Sequence, residues 1–403
     1  MFLNSCKKHY ILDTQRTVPP EETLARIEKK IASAGITRVA DITNLDRIGI
    51  PVFSSIRPTA EMGSVSVYNG KGATPVEAKV SAMMEGIERF SAESAGREMV
   101  MATYGEILYD HKAVNPDDLI LPSHADASAP LVWVAGREIN RDEEIYLPAH
   151  AVFHPMPRLY PPLFRTNTNG LASGNTREEA VFHALMEVIE RDAWSLAEAS
   201  RRTGSRIYDI GDGIAADLLK KFTDAHVEVE LKNITSDIGI PTFAAVSDDT
   251  QLKDPTLLTI GMGTHTSARI TLLRALTEVA QSRLTQIHGA REDTTVADFR
   301  RKIGYERTRR INKYWFDATD EVAFSSIPSF DSDDFLTDIR YVCDALGRSG
   351  LDRVIVVDLT RPEIGVPVVR VVVPGLEVYA MDQERSGERC RNARNNRVSR
   401  PQS

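Results

Sequence analysis

The sequence predicts a mixed α/β fold built from repeated helix–strand–strand–strand–helix units, and three observations carry that expectation. A helical phrase with paired acids occurs three times: A-M-M-E-G-I-E-R from Ala82 to Arg89, A-L-M-E-V-I-E-R from Ala184 to Arg191, and an altered A-L-T-E-V-A-Q-S-R from Ala275 to Arg283. A strand–turn–strand pattern around I-G-[IV]-P also occurs three times, at Asp41 to Val52, Asn233 to Thr242 and Asp358 to Val368. Helical apolar spacing precedes each hairpin, roughly at Pro20 to Ala34, Ile214 to Ala225 and Asp333 to Arg348. The pattern reads as an internal duplication with a partial third copy.

Taken in order, the first helix is followed by the first hairpin and a further strand-like run, Ser64 to Tyr68. Gly70 to Glu77 then forms a glycine turn leading into the first acid helix, with Thr74 as N-cap, Pro75 at the first helical position and Glu77 closing a capping box. Gly70 to Thr74 lacks the spacing of a Walker phosphate loop. Strand-like segments at Leu131 to Ala135 and Ile145 to Pro148 come next, followed by a Pro-rich connection from His154 to Pro162. Thr166 to Gly174, rich in Asn and Gly, leads to the second acid helix as either a surface loop or a close approach to a ligand, and Thr176 with Glu179 repeats the capping box. The second hairpin and a run from Thr256 to Ile260 lead through Gly261 to Thr266 into the third acid helix, where no Glu closes the box. Each glycine turn places backbone N–H groups at a helix start, a natural anion seat. Phe324 to Asp334 reads as a polar surface loop. Beyond Met381 the arginines 385, 389, 391, 394, 397 and 400 read as a solvated tail, with an acidic partner as the alternative.

The acids define the candidate site. Glu85 and Glu88 share one helix face, as do Glu187 and Glu190, and Glu278 and Gln281. Acid pairs on an inner face are costly without cations. A single such copy fits a solvated amphipathic helix; three related copies favour a site where paired acids hold divalent metal and nearby arginines meet phosphate.

Composition narrows the alternatives. The 403 residues exceed one small core, and a formal net charge of −8 argues against general nucleic-acid binding. Three scattered cysteines, Cys6, Cys343 and Cys390, suit a reducing cytoplasm and exclude a disulfide framework. No CxxC pattern marks a zinc site, no apolar run reaches membrane-spanning length, and Met1 to Lys8 is not followed by a signal-peptide core.

The phrases Ser81-x-x-x-Glu85-x-x-Glu88-Arg89, Glu187-x-x-Glu190-Arg191-Asp192 and Glu278-x-x-Gln281-x-Arg283 resemble those of the YcaO family, in the same order and separation across nearly the whole chain. The resemblance implies one composite YcaO-type domain over 1–403, with approximate sub-units 1–100, 101–200, 201–290 and 291–380 around a central ATP cleft, and the Arg-rich tail 381–403. It implies ATP and Mg2+ as cofactors, with Glu85, Glu88, Glu187 and Glu190 as metal ligands. Ser81, Arg89, Asn175, Glu179, Arg191, Gln281 and Arg283 would bind nucleotide, with Lys8 and Arg16 added from the N-terminal segment, and Glu85, Glu187 and Arg191 would be catalytic. Arg16 to Leu24 and Asp46 to Val52 are similar to the branch that works with TfuA proteins, and Val371 to Glu377 with its Arg-rich tail resembles the member that thioamidates a glycine of the methyl-coenzyme M reductase α subunit. The implied partners are that protein or a peptide substrate, a TfuA-type protein and a sulfide donor, with a homodimer left open and no nucleic acid or membrane. Azoline-forming relatives typically end in a proline-rich terminus, whereas this chain ends Arg400-Pro401-Gln402-Ser403.

The residues suit that chemistry. An amide oxygen is a poor leaving group until phosphorylated, and phosphoryl transfer asks chiefly for positioning and charge neutralisation. Carboxylates are hard ligands for Mg2+ and guanidinium groups pair with phosphate oxygens. No cysteine lies in a motif, so sulfur is expected from free sulfide or a partner. Azoline cyclodehydration, or thioamide synthesis on a ribosomal peptide natural product, is the alternative reaction. A carboxylate di-metal oxidase would carry Glu-x-x-His, which is absent here. A non-catalytic partner-binding relative should have lost site acids, and all four are present.

Overall fold

The computed structural model describes residues 2–157, 159–160, 162–290, 295–317 and 320–398. Parts of the His154 to Pro162 connection (Arg158 and Pro161) and tail residues 399–403 lie outside them.

Three repeated units are present. In the first, Arg38–Asp41, Val52–Ile56 and Val67–Lys71 form an antiparallel sheet that leads into the helix Pro75–Ser91. In the second, Glu228–Asn233, Thr242–Asp248 and Thr259–Thr264 do the same and lead into Ala268–His288. The third copy is not partial. The late hairpin Ile355–Asp358 and Val368–Val372 is completed by Leu171–Ser173, which pairs antiparallel with Val368 to Arg370 and runs into the helix Arg177–Ser200. The third unit therefore draws on both 101–200 and 291–380, across the approximate sub-unit boundaries. Each unit also has a leading helix: Pro20–Ile27, Ile214–Asp224 and Phe335–Arg348. The first is shorter than expected, because the chain turns repeatedly from Glu28 to Gly35, which has φ 74°.

The hairpins repeat in detail. Val52, Thr242 and Val368 each donate N–H to a threonine hydroxyl across the turn: Thr43 at 3.1 Å, Thr235 at 3.0 Å and Thr360 at 3.2 Å. Those threonines donate their own N–H to Asp41, Asn233 and Asp358. Gly49, Gly239 and Gly365 have φ of 71°, 77° and 61° with ample room for a Cβ, so it is the left-handed backbone that calls for glycine.

The expected glycine turns are used differently. Gly70, Gly261 and Gly263 lie within strands, and a Cβ at Gly70 would stand 1.9 Å from the Ala82 nitrogen of the acid helix. They let strand and helix backbones touch, rather than forming anion seats. The third strands begin and end about three residues later than the apolar runs indicated. Glu77 closes its box on Thr74 and Ala73 at 3.1 Å. Thr176 caps Glu179, but the Glu179 carboxylate turns away to the Thr17 N–H and hydroxyl at 3.0 and 2.8 Å, so this second box is half made.

The third unit's sheet is extended by Leu131–Glu138, which Val100–Ala102 and Glu143–Pro148 flank. Separate apolar cores lie under the units, around Met83, Ile87 and Trp133, around Leu185, Val356 and Val369, and around Phe222, Phe243 and Leu276. The tail is not a solvated arm. Glu388–Val398 is a helix docked on Arg177–Ser200. Arg389 grips Asp192 at 2.9 and 2.8 Å and reaches Asp237, while Arg385 donates to the carbonyls of Leu119 and Ile120. Nor is Phe324 to Asp334 purely surface: Ser329 accepts the Ala268 N–H, and Phe330 stacks on Tyr341.

Candidate active site

The three acid helices are placed by one cyclic rule. Each packs on the third strand of its own unit and reaches the third strand of another: Pro75–Ser91 meets Leu171–Ser173, Arg177–Ser200 meets Thr259–Thr264, and Ala268–His288 meets Val67–Lys71. Glu85, Glu187 and Glu278 occupy the same position in their helices, so this rule brings equivalent faces to one centre. There they line a single cleft of about 730 Å3, a volume in the usual range for small-molecule sites.

The cleft gathers most of the residues singled out from sequence. Ser81, Glu85, Glu88, Arg89, Asn175, Glu179, Glu187, Glu190, Arg191, Gln281 and Arg16 all line it. Arg89 forks onto Glu85, with Nε at 2.8 Å, and Arg191 stands 3.7 Å from both Glu187 and Glu190. Glu88 accepts the Ser173 N–H and hydroxyl at 2.8 and 2.6 Å. Gln281 donates to the Asn69 carbonyl at 2.6 Å. At the other end Thr23 donates to Asn175 at 3.0 Å, Asn175 to Glu179, and Arg16 contacts His183.

Two candidates lie off the wall. Lys8 is buried in a contact with Asp338 and Gln15. Arg283 is fully buried, its Nε 2.9 Å from Asp46 and its Nη2 3.0 Å from Asp249; Arg47 also grips Asp249, at 2.8 Å. Charged residues beyond those candidates also line the cleft, among them Arg274, Arg300, Glu198 and Lys71, the last paired with Glu278. Glu278, the first acid of the altered phrase and the sequence-level partner of Gln281, lines it as well; Arg274, Arg300 and Lys71 belong to no acid phrase that could have flagged them.

The electrostatics are those of a site short of positive charge. Burial, then neighbouring Glu85, pushes the Glu88 carboxyl up to about 8. Burial and Glu278 raise Glu190 to about 7, and Glu187 is raised by burial first and by Glu85. Burial also acts on Glu278, but Lys71 and Arg191 outweigh it and hold that acid below the usual range. Burial, with Arg16 and Arg274 nearby, keeps His183 neutral well below its ordinary value. Several polar atoms on the wall have no hydrogen-bond partner: Glu190 Oε2, Arg191 Nε and Arg274 Nε. Unpartnered buried acceptors beside unpartnered guanidinium donors fit a ligand that is both metal-bearing and anionic. Among the described residues no three His, Cys, Asp or Glu side chains are grouped so as to cage a metal alone. Mg2+ commonly takes one or two carboxylates and completes its shell with phosphate oxygens and water, so this donor set suits Mg2+ together with a nucleotide.

None of the cysteines lines the cleft. Cys343 and Cys390 are buried, and burial raises both thiols, Cys343 to about 12. No helix among the described residues is long and apolar enough to cross a membrane.

The chain is similar to several known proteins. The family model described as YcaO cyclodehydratase, ATP- and Mg2+-binding, matches residues 69–377. An uncharacterized protein of Methanothermobacter thermautotrophicus is 51% identical over 94% of this chain and 99% of its own length. An uncharacterized protein in the tfuA 3′ region of Rhizobium leguminosarum bv. trifolii is 34% identical over 90% of this chain and 89% of its own. The structure of YcaO from Methanopyrus kandleri bound with AMPPCP and Mg2+ superposes with a TM-score of 0.81 at 28% identity, covering 95% of this chain and 98% of that one.

Proposed function

The chain belongs to the YcaO family, a family described as ATP- and Mg2+-binding, and from that premise we propose that it activates a peptide backbone amide with Mg-ATP and installs a thioamide. One observation carries the reading: four acids from two helices, together with Arg191 and Arg274, face one cleft and leave buried polar atoms unpaired. Mg-ATP supplies the phosphoryl group that makes the amide oxygen a leaving group, which sulfide then displaces.

This chain's own residues do the positioning. Glu85, Glu88, Glu187 and Glu190 hold Mg2+ in the proposal, and Arg89, Arg191 and Arg274 meet phosphate oxygens. Ser81, Asn175, Glu179, Gln281 and Arg16 bind the rest of the nucleotide. Arg283 and Lys8 support the site from behind the wall, through the ion pairs that fasten its walls. The raised Cys343 and Cys390 thiols, neither of which lines the cleft, support an external sulfur source. Glycine suits a crowded cleft because it lacks a Cβ. The methyl-coenzyme M reductase α subunit as substrate rests on the likeness of Val371 to Glu377 and the tail. A TfuA-type partner is supported by the relative named for the tfuA 3′ region.

The test is reconstitution. Enzyme, ATP, Mg2+, sulfide and a glycine-containing peptide should give a product heavier by the sulfur-for-oxygen exchange and absorbing in the near ultraviolet. A dehydrated azoline at Cys, Ser or Thr as the only product would replace thioamidation by cyclodehydration.

A further inference from the structure

The repeated units build the acid centre, but one end of the cleft is made from elements outside the repeat. The helix Arg177–Ser200 continues past its acids, presenting Glu187, Arg191, Trp194 and Glu198 to the cleft in turn. Eleven residues at about 1.5 Å each make this a track of roughly 16 Å from Glu187 to Glu198. The far wall comes from the short helix Lys313–Phe316 and from Met381, which brings Trp315, Phe316 and Met381 to the same end.

Here the donors of the aromatic rings are already committed. Trp194 and Trp315 both donate their indole N–H to Glu198 Oε1, at 3.3 and 3.2 Å, and Tyr314 donates its hydroxyl to Oε2 at 2.6 Å. Glu198 thereby fixes the orientation of two indole rings, and it is a positioning residue. Val246 and Ile260 add apolar lining. These indole and hydroxyl donors are spent on Glu198, and Trp315 is itself 1% exposed, so the ring faces open to the cleft are those of Trp194 and Phe316, and neither brings a free donor to read the edge of a purine or grip a phosphate. At the opposite end, Asn175, Glu179 and Arg16 supply the polar groups a nucleoside needs.

We propose that the Trp194–Trp315 end of the cleft seats an apolar, preferably aromatic, side chain next to the target amide of the peptide. The assignment rests on the peptide-amide reading above. It deepens that reading into a sequence preference: the residue beside the modified position is read by ring packing.

The experiment uses full-length protein saturated with Mg-AMPPCP. Binding of glycine-centred hexapeptides carrying Phe, Leu, Ala or Asp beside the glycine is measured by calorimetry. The Phe peptide should bind about tenfold more tightly than the Ala or Asp peptides, the scale of one good aromatic contact plus its buried area. Trp194→Ala and Phe316→Ala should erase the difference while AMPPCP affinity stays at the wild-type value, which also shows that the variants are folded. A preference that survives in both variants overturns the proposal. So does a loss of AMPPCP affinity with peptide binding intact, which would assign the rings to the base. If no peptide binds the wild type while AMPPCP does, the peptide-amide reading itself fails, and the inference with it.

Discussion

Two buried clusters of opposite charge lie in this protein, and they behave differently. Around Arg283, the partners Asp46, Asp249 and Arg47 form a network in which only Arg283 Nη1 lacks a partner, and Arg47 and Arg283 hold Asp249 below its ordinary pKa against the pull of burial. In the cleft, Glu88, Glu187 and Glu190 are pushed upward, and acceptors and donors both stand unpaired. The first cluster is closed on itself and acts as a fastening between the first and second units. The second is left open, with room for the cation and phosphate that the proposed function would bring. Buried charge alone does not mark a site; incomplete compensation does.

That contrast can be broken in several places. The largest effect is expected at Arg283→Ala, which leaves Asp46 and Asp249 short of a cation and should cost about 3–5 kcal/mol of unfolding free energy in a denaturant titration without nucleotide. Wild-type stability with lost nucleotide binding would instead make Arg283 a ligand. Next, Mg-AMPPCP at a hundred times its dissociation constant should raise wild-type stability by about 2.7 kcal/mol; Glu187→Gln should lose most of that gain and nearly all ATP turnover while remaining folded. Glu190→Gln removes an undercompensated charge, so without nucleotide it should be more stable than the wild type by about 1 kcal/mol, as often found for residues held in place by function. A drop in that variant's melting temperature would show that the acid is already satisfied. Losses of the same size, about 1 kcal/mol each, are expected for Thr43→Ala, Thr235→Ala and Thr360→Ala, which remove the same turn bond from three hairpins. Clearly unequal losses would weaken the equivalence of the three units.

Much of this was legible beforehand, for local reasons. The acid phrases and the I-G-[IV]-P turns are short-range patterns, and helix periodicity puts Glu85 with Glu88 and Glu187 with Glu190 whatever surrounds them. What escaped depends on distant partners. Arg191 and Arg283 both follow an acid phrase, yet Arg283 meets Asp46, 237 residues away. The third unit read as a partial copy because the strand that completes it, Leu171–Ser173, is three residues long, flanked by Asn and Gly, and pairs with a strand nearly two hundred residues on. The tail looked solvated because its composition is that of a solvated arm; Asp192 and Asp237, which dock it, lie elsewhere. Trp194 sits one turn past a motif residue, but its partner Trp315 comes from an unrelated helix.

The most direct test of the account follows one oxygen atom. A peptide substrate carrying heavy oxygen in the target glycine carbonyl is incubated with enzyme, Mg-ATP and sulfide, and the released phosphate is analysed by mass spectrometry. If the cleft activates the amide by phosphorylation, the label leaves the peptide and appears in phosphate, one heavy atom for each thioamide formed. Phosphate whose only new oxygen comes from water, alongside peptide that keeps its label, would mean that the cleft hydrolyses nucleotide without activating an amide.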